Sequence, residues 1–68
     1  MQLFIVWEIY SPDWKLIKKG SDFKFLPDLM MMDVEIEEWG DNKAKNLGIK
    51  REFFVIASIQ LFEIPEGN

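Results

Sequence analysis

The chain has 68 residues, of which 49% are hydrophobic and 15% aromatic, and its formal net charge is -4. It contains no cysteine and no histidine, which excludes disulfides, Cys/His zinc sites and the common Ser-His and Cys-His catalytic pairs. A domain this small buries only about 60% of its unfolded surface, so a dense core, a partner or self-association must stabilise it. We expect one domain over residues 1–68, with a short tail over 65–68.

Membrane insertion and direct nucleic-acid binding are not expected. The apolar start of the chain lacks a basic leader and a cleavage site, and no run approaches the roughly 18 apolar residues that a membrane span needs. An acidic protein also lacks the Lys and Arg excess that binds phosphates. These features predict a soluble cytoplasmic protein.

Short strands and turns fill the first half of the chain. Residues 3–10 are rich in β-branched and aromatic side chains and predict a strand. Residues 11–14, Ser-Pro-Asp-Trp, predict a turn. A second strand is expected over 14–18, a second turn over 19–22, and a short third strand over 23–25.

Residues 28–39 allow two interpretations. As a strand, residues 32–37 alternate between apolar and acidic side chains. As a helix over 28–39, one face would carry Leu29, Met32, Ile36 and Trp39. Glu37 and Glu38 would then lie at the negative end of the helix dipole, and Asp33 and Glu37 would be like charges four residues apart. We therefore favour the strand and keep the helix as the alternative.

The last third of the chain predicts a loop and a long strand. Residues 41–47 are polar and predict a loop, or one helical turn capped by Asp41 and stopped by Gly48. Residues 49–64 predict a strand that is apolar on both faces and bent near Ala57-Ser58. If residues 40–48 form a loop, the flanking strands pair so that Glu37 faces Arg51.

Five short strands separated by turns predict an all-β fold. The length suits a small antiparallel sheet curled into an SH3-like or OB-like barrel or half-barrel. The alternative is an α+β fold with the helix over 28–39.

The acidic stripe is the most distinctive candidate site. In a strand, every second residue from 31 to 39 would lie on one face, and successive members would lie roughly 6.6 Å apart. The residues of this face are Met31, Asp33, Glu35, Glu37 and Trp39. Such a stripe could bind another protein, most concretely as an inhibitor that masks a basic nucleic-acid-handling protein. Small inhibitors from viruses and mobile elements have similar size and charge. The simpler interpretation is a solvated strand face, and a metal site is least favoured because ligands along one strand diverge.

Three further hypotheses concern other residues. Lys43 and Lys45 could contact an anion. The two apolar faces of 53–62 could be buried between copies of a homo-oligomeric structural or assembly subunit. A small ligand or nucleotide could be sequestered by Lys18, Lys19, Lys43 and Lys45. We expect no enzymatic activity, no cofactor and no metal.

Overall fold

A computed structural model of the chain describes residues 1–62. They form three strands and one α-helix, in the order β1 (Gln2–Tyr10), β2 (Leu16–Phe25), α1 (Met32–Leu47) and β3 (Phe54–Phe62). Short 3-10 helices at Leu29–Met31 and Arg51–Phe53 precede α1 and β3. The antiparallel sheet has the strand order β2-β1-β3, so β1 is central and both other strands are edges. The tail predicted over 65–68 lies outside the described residues.

The prediction of an all-β barrel or half-barrel with about five strands is wrong. Within residues 1–62 the sheet is open and has three strands, and a helix packs against it. The α+β alternative is confirmed. The strands predicted over 14–18 and 23–25 are parts of one strand, β2, and residues 32–37 belong to α1.

Gly20 explains why β2 continues where a turn was predicted. It lies opposite Trp7 in the register of β1 and β2. A Cβ atom at residue 20 would lie 2.3 Å from a ring carbon of Trp7, so the indole occupies the space that a side chain would fill. Glycine inside a strand often marks such a close approach. The turn predicted over 19–22 is therefore wrong.

The helix α1 covers one face of the sheet. Its inward side chains include Met32, Ile36 and Trp39, which pack against Leu3 and Ile5 of β1. These three helix residues belong to the face that the helical alternative predicted. The described core residues are Leu3, Ile5, Trp7, Ile9, Leu26, Ala44 and Phe54.

The acidic residues Glu37 and Glu38 do not oppose the helix, because α1 extends further than the helix considered over 28–39. It runs past Gly40 to Leu47, so Glu37 and Glu38 lie near its middle rather than at its C-terminal end. Lys45 lies in the last turn, where a cation interacts favourably with the helix dipole. Gly48 ends the helix with a left-handed φ of 72°, which is the predicted stop. The loop predicted over 41–47 is wrong, because these residues belong to α1.

A bulge in β3 brings its apolar side chains to one face. Val6 pairs with Ser58 and Trp7 with Ile56, so Ala57 is the extra residue. The bulge lies where a bend was predicted, and it shifts the alternation of side chains by one position. The side that faces α1 therefore carries Phe54, Ile56, Ile59 and Leu61. The strand predicted over 49–64 thus begins only at Phe54, and as far as Phe62 it has one strongly apolar face rather than two, while residues 63–64 lie outside the described residues.

Candidate protein-binding surfaces

The acidic residues predicted to share one strand face are separated by α1. Residues four apart lie on the same side of a helix and residues two apart do not, so Asp33 and Glu37 share a side and Glu35 points elsewhere. The carboxylate of Glu35 lies 3.1 Å from Lys24 Nζ of β2, and this ion pair attaches α1 to the sheet. Glu35 is therefore a structural residue.

The two apolar residues of the predicted stripe also separate. Trp39 turns inward, and its ring centroid lies 5.9 Å from that of Phe54 in the core. Met31 precedes the first residue of α1 and remains exposed. Neither residue lies with Asp33 and Glu37, so the stripe does not exist as one surface.

A different acidic surface forms on the outward side of α1. Its members line a shallow depression and are Asp33, Val34, Glu37, Glu38 and Asp41. We call these five residues the acidic helix surface. Val34 is 58% exposed and lies among the carboxylates. Among residues 1–62, no three acidic side chains converge in a way that could hold a metal ion.

Arg51 neutralises one end of the acidic helix surface. Its Nε lies 3.0 Å from Asp41 Oδ1 and its Nη2 lies 4.0 Å from Glu37 Oε2. Its Nη1 donates a hydrogen bond of 2.8 Å to the carbonyl oxygen of Phe54. The predicted contact between Glu37 and Arg51 is thus present. The prediction that two paired strands bring these residues together is wrong, because Glu37 lies in α1. Asp33 and Glu38 form no salt bridge with another residue in the described range.

Lys43 is engaged within the fold. Its Nζ lies 2.9 Å from Asp22 Oδ2 and 5.5 Å from the ring centroid of Trp7. The Trp7 indole Nε1 also donates a hydrogen bond of 2.9 Å to Asp22. Partial burial alone would raise the pKa of Asp22, but these hydrogen bonds and the charge of Lys43 outweigh it and lower that pKa. Lys43 therefore stabilises the helix–sheet contact.

The other lysines suggested for an anion or a nucleotide do not form one cluster. Lys18 and Lys19 are neighbours in β2 and pair with Ile9 and Glu8, so their side chains leave opposite faces of the sheet. Lys45 is exposed on α1. The geometry gives no common site for these cations.

The face of the sheet opposite α1 carries a group of phenylalanines that the sequence analysis missed. Phe4 pairs with Phe23, and their ring centroids lie 5.1 Å apart. Phe23 and Phe25 are 63% and 64% exposed. Cross-strand pairing with Gln2 places Phe25 and Phe62 on the same face. We call this side the open face and these residues the phenylalanine cluster: Phe4, Phe23, Phe25 and Phe62.

A second aromatic group lies at the opposite end of β1. The ring of Tyr10 lies 5.9 Å from that of Trp14, which lies 5.6 Å from that of Phe53. Trp14 is 60% exposed. The hydroxyl of Tyr10 donates a hydrogen bond of 3.0 Å to Glu8, and this bond raises the pKa of Tyr10. We call these three residues the turn aromatics.

The middle of the open face is polar and balanced in charge. Glu8 pairs with Lys19, and Val6 lies between Ser21 and Ser58. The strands therefore place one anion and one cation of this central region opposite each other. A partner here would meet apolar groups at both ends and little net charge between them.

Comparisons with protein-family models, with curated proteins and with solved structures find no match for this chain. Within residues 1–62, the structure contains no helix long and apolar enough to cross a membrane.

Proposed function

We propose that this chain is a non-enzymatic cytoplasmic module that binds an amphipathic helix of another protein on its open face. The observation that carries the proposal is the exposure of Phe23 and Phe25 on a sheet face that no described element covers. Apolar sheet faces are stabilised by packing against another layer. The helix α1 supplies that layer on one side only.

The spacing of the two aromatic groups favours a helix as the bound element. Phe4 and Tyr10 are six residues apart in β1, or about 20 Å at 3.3 Å per residue. A helix of about 13 residues spans that distance at 1.5 Å per residue. Its apolar stripe would contact the phenylalanine cluster at one end and the turn aromatics at the other.

Charge favours a protein over a nucleic acid on this face. Single-stranded nucleic acids stack on aromatic side chains, but they also need a basic groove for the phosphates. The central cation Lys19 lies opposite Glu8, and the whole chain is acidic. Binding of an oligonucleotide to the open face would contradict the proposal.

The test removes exposed aromatic area while retaining strand propensity. The double variant Phe23→Thr/Phe25→Thr is compared with Met30→Thr, which alters an exposed apolar residue outside the sheet. Proteins captured from a native host extract are identified, and a helical peptide from the captured protein is titrated. We expect the double variant to bind at least about tenfold more weakly, a loss of about 1.4 kcal/mol, and Met30→Thr to bind as the wild type does. Equal binding by all three proteins would contradict docking on the open face.

A second candidate function is supported by the acidic helix surface. Val34 is exposed among four carboxylates, and an apolar centre with a charged rim is typical of protein interfaces. A basic partner, such as a protein that handles nucleic acid, would be attracted electrostatically. This surface replaces the strand stripe as the site of an inhibitory contact.

Single charge reversals distinguish this candidate from the first. Glu38→Lys alters the acidic helix surface, and Glu52→Lys makes the same change at an exposed site before β3. If a basic partner docks on α1, Glu38→Lys lowers the association rate and Glu52→Lys changes it much less. High salt weakens the wild-type contact as well. Loss of binding in Phe23→Thr/Phe25→Thr alone assigns the partner to the open face.

A further inference from the structure

We infer that two copies of this chain pair through the outer edge of β3, which joins their sheets into one. β3 is an edge strand that pairs with β1 on one side and with no other described strand on its outer side. Its nine residues, Phe54–Phe62, include no charged side chain. A long, uncharged edge presents unpaired backbone groups that readily pair with another strand.

The other edge of the sheet is protected in the usual way. β2 carries lysines at positions 18, 19 and 24 and an aspartate at position 22. Charged side chains, and lysine above all, prevent edge strands from pairing with other chains. The two edges of one sheet therefore differ, and the difference indicates that β3 is the edge used for pairing.

Charge also favours a second copy as the occupant. When two β3 strands pair antiparallel, no charged side chains meet across the contact. Two copies of β2 would instead bring together two edges that each carry three lysines and one aspartate, and this excess of positive charge opposes strand pairing. A strongly charged foreign strand would find no complementary charge on β3.

Exposed aliphatic residues beside this edge support the same contact. Ile59 and Leu61 lie on the α1 side of the sheet, yet both remain exposed. They are uncovered because α1 contacts β3 at its start, where Trp39 packs on Phe54, and does not cover the residues further along the strand. Pairing centred on Gln60 would place Leu61 opposite Ile59 of the second copy and bury these side chains between the two helices.

The bulge at Ala57 limits where the pairing can occur. Regular alternation in β3 resumes at Ser58 and continues to Phe62. We therefore assign the contact to residues 58–62. The joined sheet would have six strands, with both open faces on the same side. This inference does not rest on the proposed helix-binding function, since it concerns the backbone edge of the sheet, although the side chain of Phe62 belongs to both surfaces.

A matched pair of substitutions tests the inference. Ser58 and Ser21 are both exposed and both pair with Val6, one on each edge of the sheet. Sedimentation equilibrium measures the mass of wild type, Ser58→Lys and Ser21→Lys. We expect twice the chain mass of 8.1 kDa for wild type and Ser21→Lys, and a monomer for Ser58→Lys. Far-UV circular dichroism checks that each variant is folded.

Three outcomes would overturn the inference: a monomeric wild type, an unchanged dimer in Ser58→Lys, and an equal loss of dimer in both variants. If Ser58→Lys does not fold, introduced cysteines decide the question, because the native chain has none. Mild oxidation should then link Gln60→Cys into a covalent dimer much faster than Ser21→Cys. Equal rates of linkage would contradict pairing through β3.

Discussion

The indole ring of Trp7 lies directly on Gly20, its cross-strand partner in β2. Its Nε1 reaches Asp22 two residues further along the same strand, and the Asp22 carboxylate holds Lys43 of α1. One side chain of the central strand thus contacts the neighbouring strand and, through Asp22, positions the helix. The absence of a side chain at residue 20 makes this arrangement possible.

Gly20→Ala should therefore destabilise the fold. The added Cβ would lie between 2.3 and 2.8 Å from three ring atoms of Trp7, so the indole would have to move. Overpacking of this kind typically costs about 1–3 kcal/mol. Urea unfolding of Gly20→Ala measures the cost, and Ser21→Ala on the exposed side of the same strand is the control, with an expected change within about 0.5 kcal/mol. Equal stability of the two variants would refute the close contact.

Gly40 and Arg51 form a second contact of this type. A Cβ at residue 40 would lie 2.7 Å from Arg51 Nη2, so alanine would displace the guanidinium from Asp41 and Phe54. In a helix that lacks such a neighbour, Gly→Ala stabilises by up to about 1 kcal/mol. We expect Gly40→Ala to stabilise the Arg51→Ala variant by about that amount and to stabilise the wild type less.

A double-mutant cycle measures this coupling. The free energies of unfolding of wild type, both single variants and the double variant give an interaction energy, expected at about 1 kcal/mol because the residues are in contact. Strict additivity of the two substitutions would mean that Arg51 does not pack on Gly40.

These two glycines also explain where the sequence misleads. Each occurs next to polar residues and predicts a break, at 19–22 in one case and near residue 40 in the other. In the structure, each lies inside a regular element and provides room for a large side chain from a distant part of the chain. Sequence alone does not show which side chain approaches a glycine, so the continuity of β2 and α1 could not be predicted. Local signals were sufficient for β1, for the turn at 11–14 and for the stop at Gly48.

The candidate site was only partly predictable for a related reason. The acidic character of residues 33–41 is visible in the sequence, but apolar residues at 32 and 36 fit a period of two and a period of 3.6 equally well. The strand prediction therefore put Glu35 beside Asp33, and the helix separates them. The exposure of Phe23 and Phe25 depends on which face α1 covers, and nothing local to β2 specifies that choice.

Acid should weaken the contribution of Asp22 to stability. Its folded pKa lies below the ordinary value of 3.8 because Lys43 and Trp7 bind the carboxylate form. A lowered folded pKa stabilises the folded state at pH values above 3.8, and this stabilisation is lost as the pH falls through the folded pKa. The difference in unfolding free energy between wild type and Asp22→Asn should be largest at neutral pH and shrink below pH 3.8.

Chemical denaturation at a series of pH values checks this expectation. Asp33→Asn serves as the control for the loss of one carboxylate, because Asp33 has no salt bridge among residues 1–62. A difference between wild type and Asp22→Asn that stays constant from neutral to strongly acidic pH would show that the Asp22–Lys43 contact does not stabilise the fold.

Trp14 combines an unfavourable backbone conformation with an exposed ring. Its φ of 60° lies in the left-handed region, which costs a residue other than glycine roughly 1–2 kcal/mol. Its ring contacts Tyr10 and Phe53, and an aromatic pair stabilises the folded state by about 0.5–1.5 kcal/mol. Trp14→Gly should thus change stability by less than about 1 kcal/mol, since the two effects offset each other. Trp14→Ala keeps the strain, loses the contacts and should be less stable than Trp14→Gly by about 1 kcal/mol.

A comparison of Trp14→Gly with Trp14→Phe also separates folding from binding. If the turn aromatics anchor one end of a bound helix, Trp14→Gly weakens partner binding although the fold is intact, and Trp14→Phe retains most of the affinity. Thermal unfolding and titration of the same proteins give both quantities. Full affinity in Trp14→Gly would remove this end of the open face from the interface and confine the contact to the phenylalanine cluster.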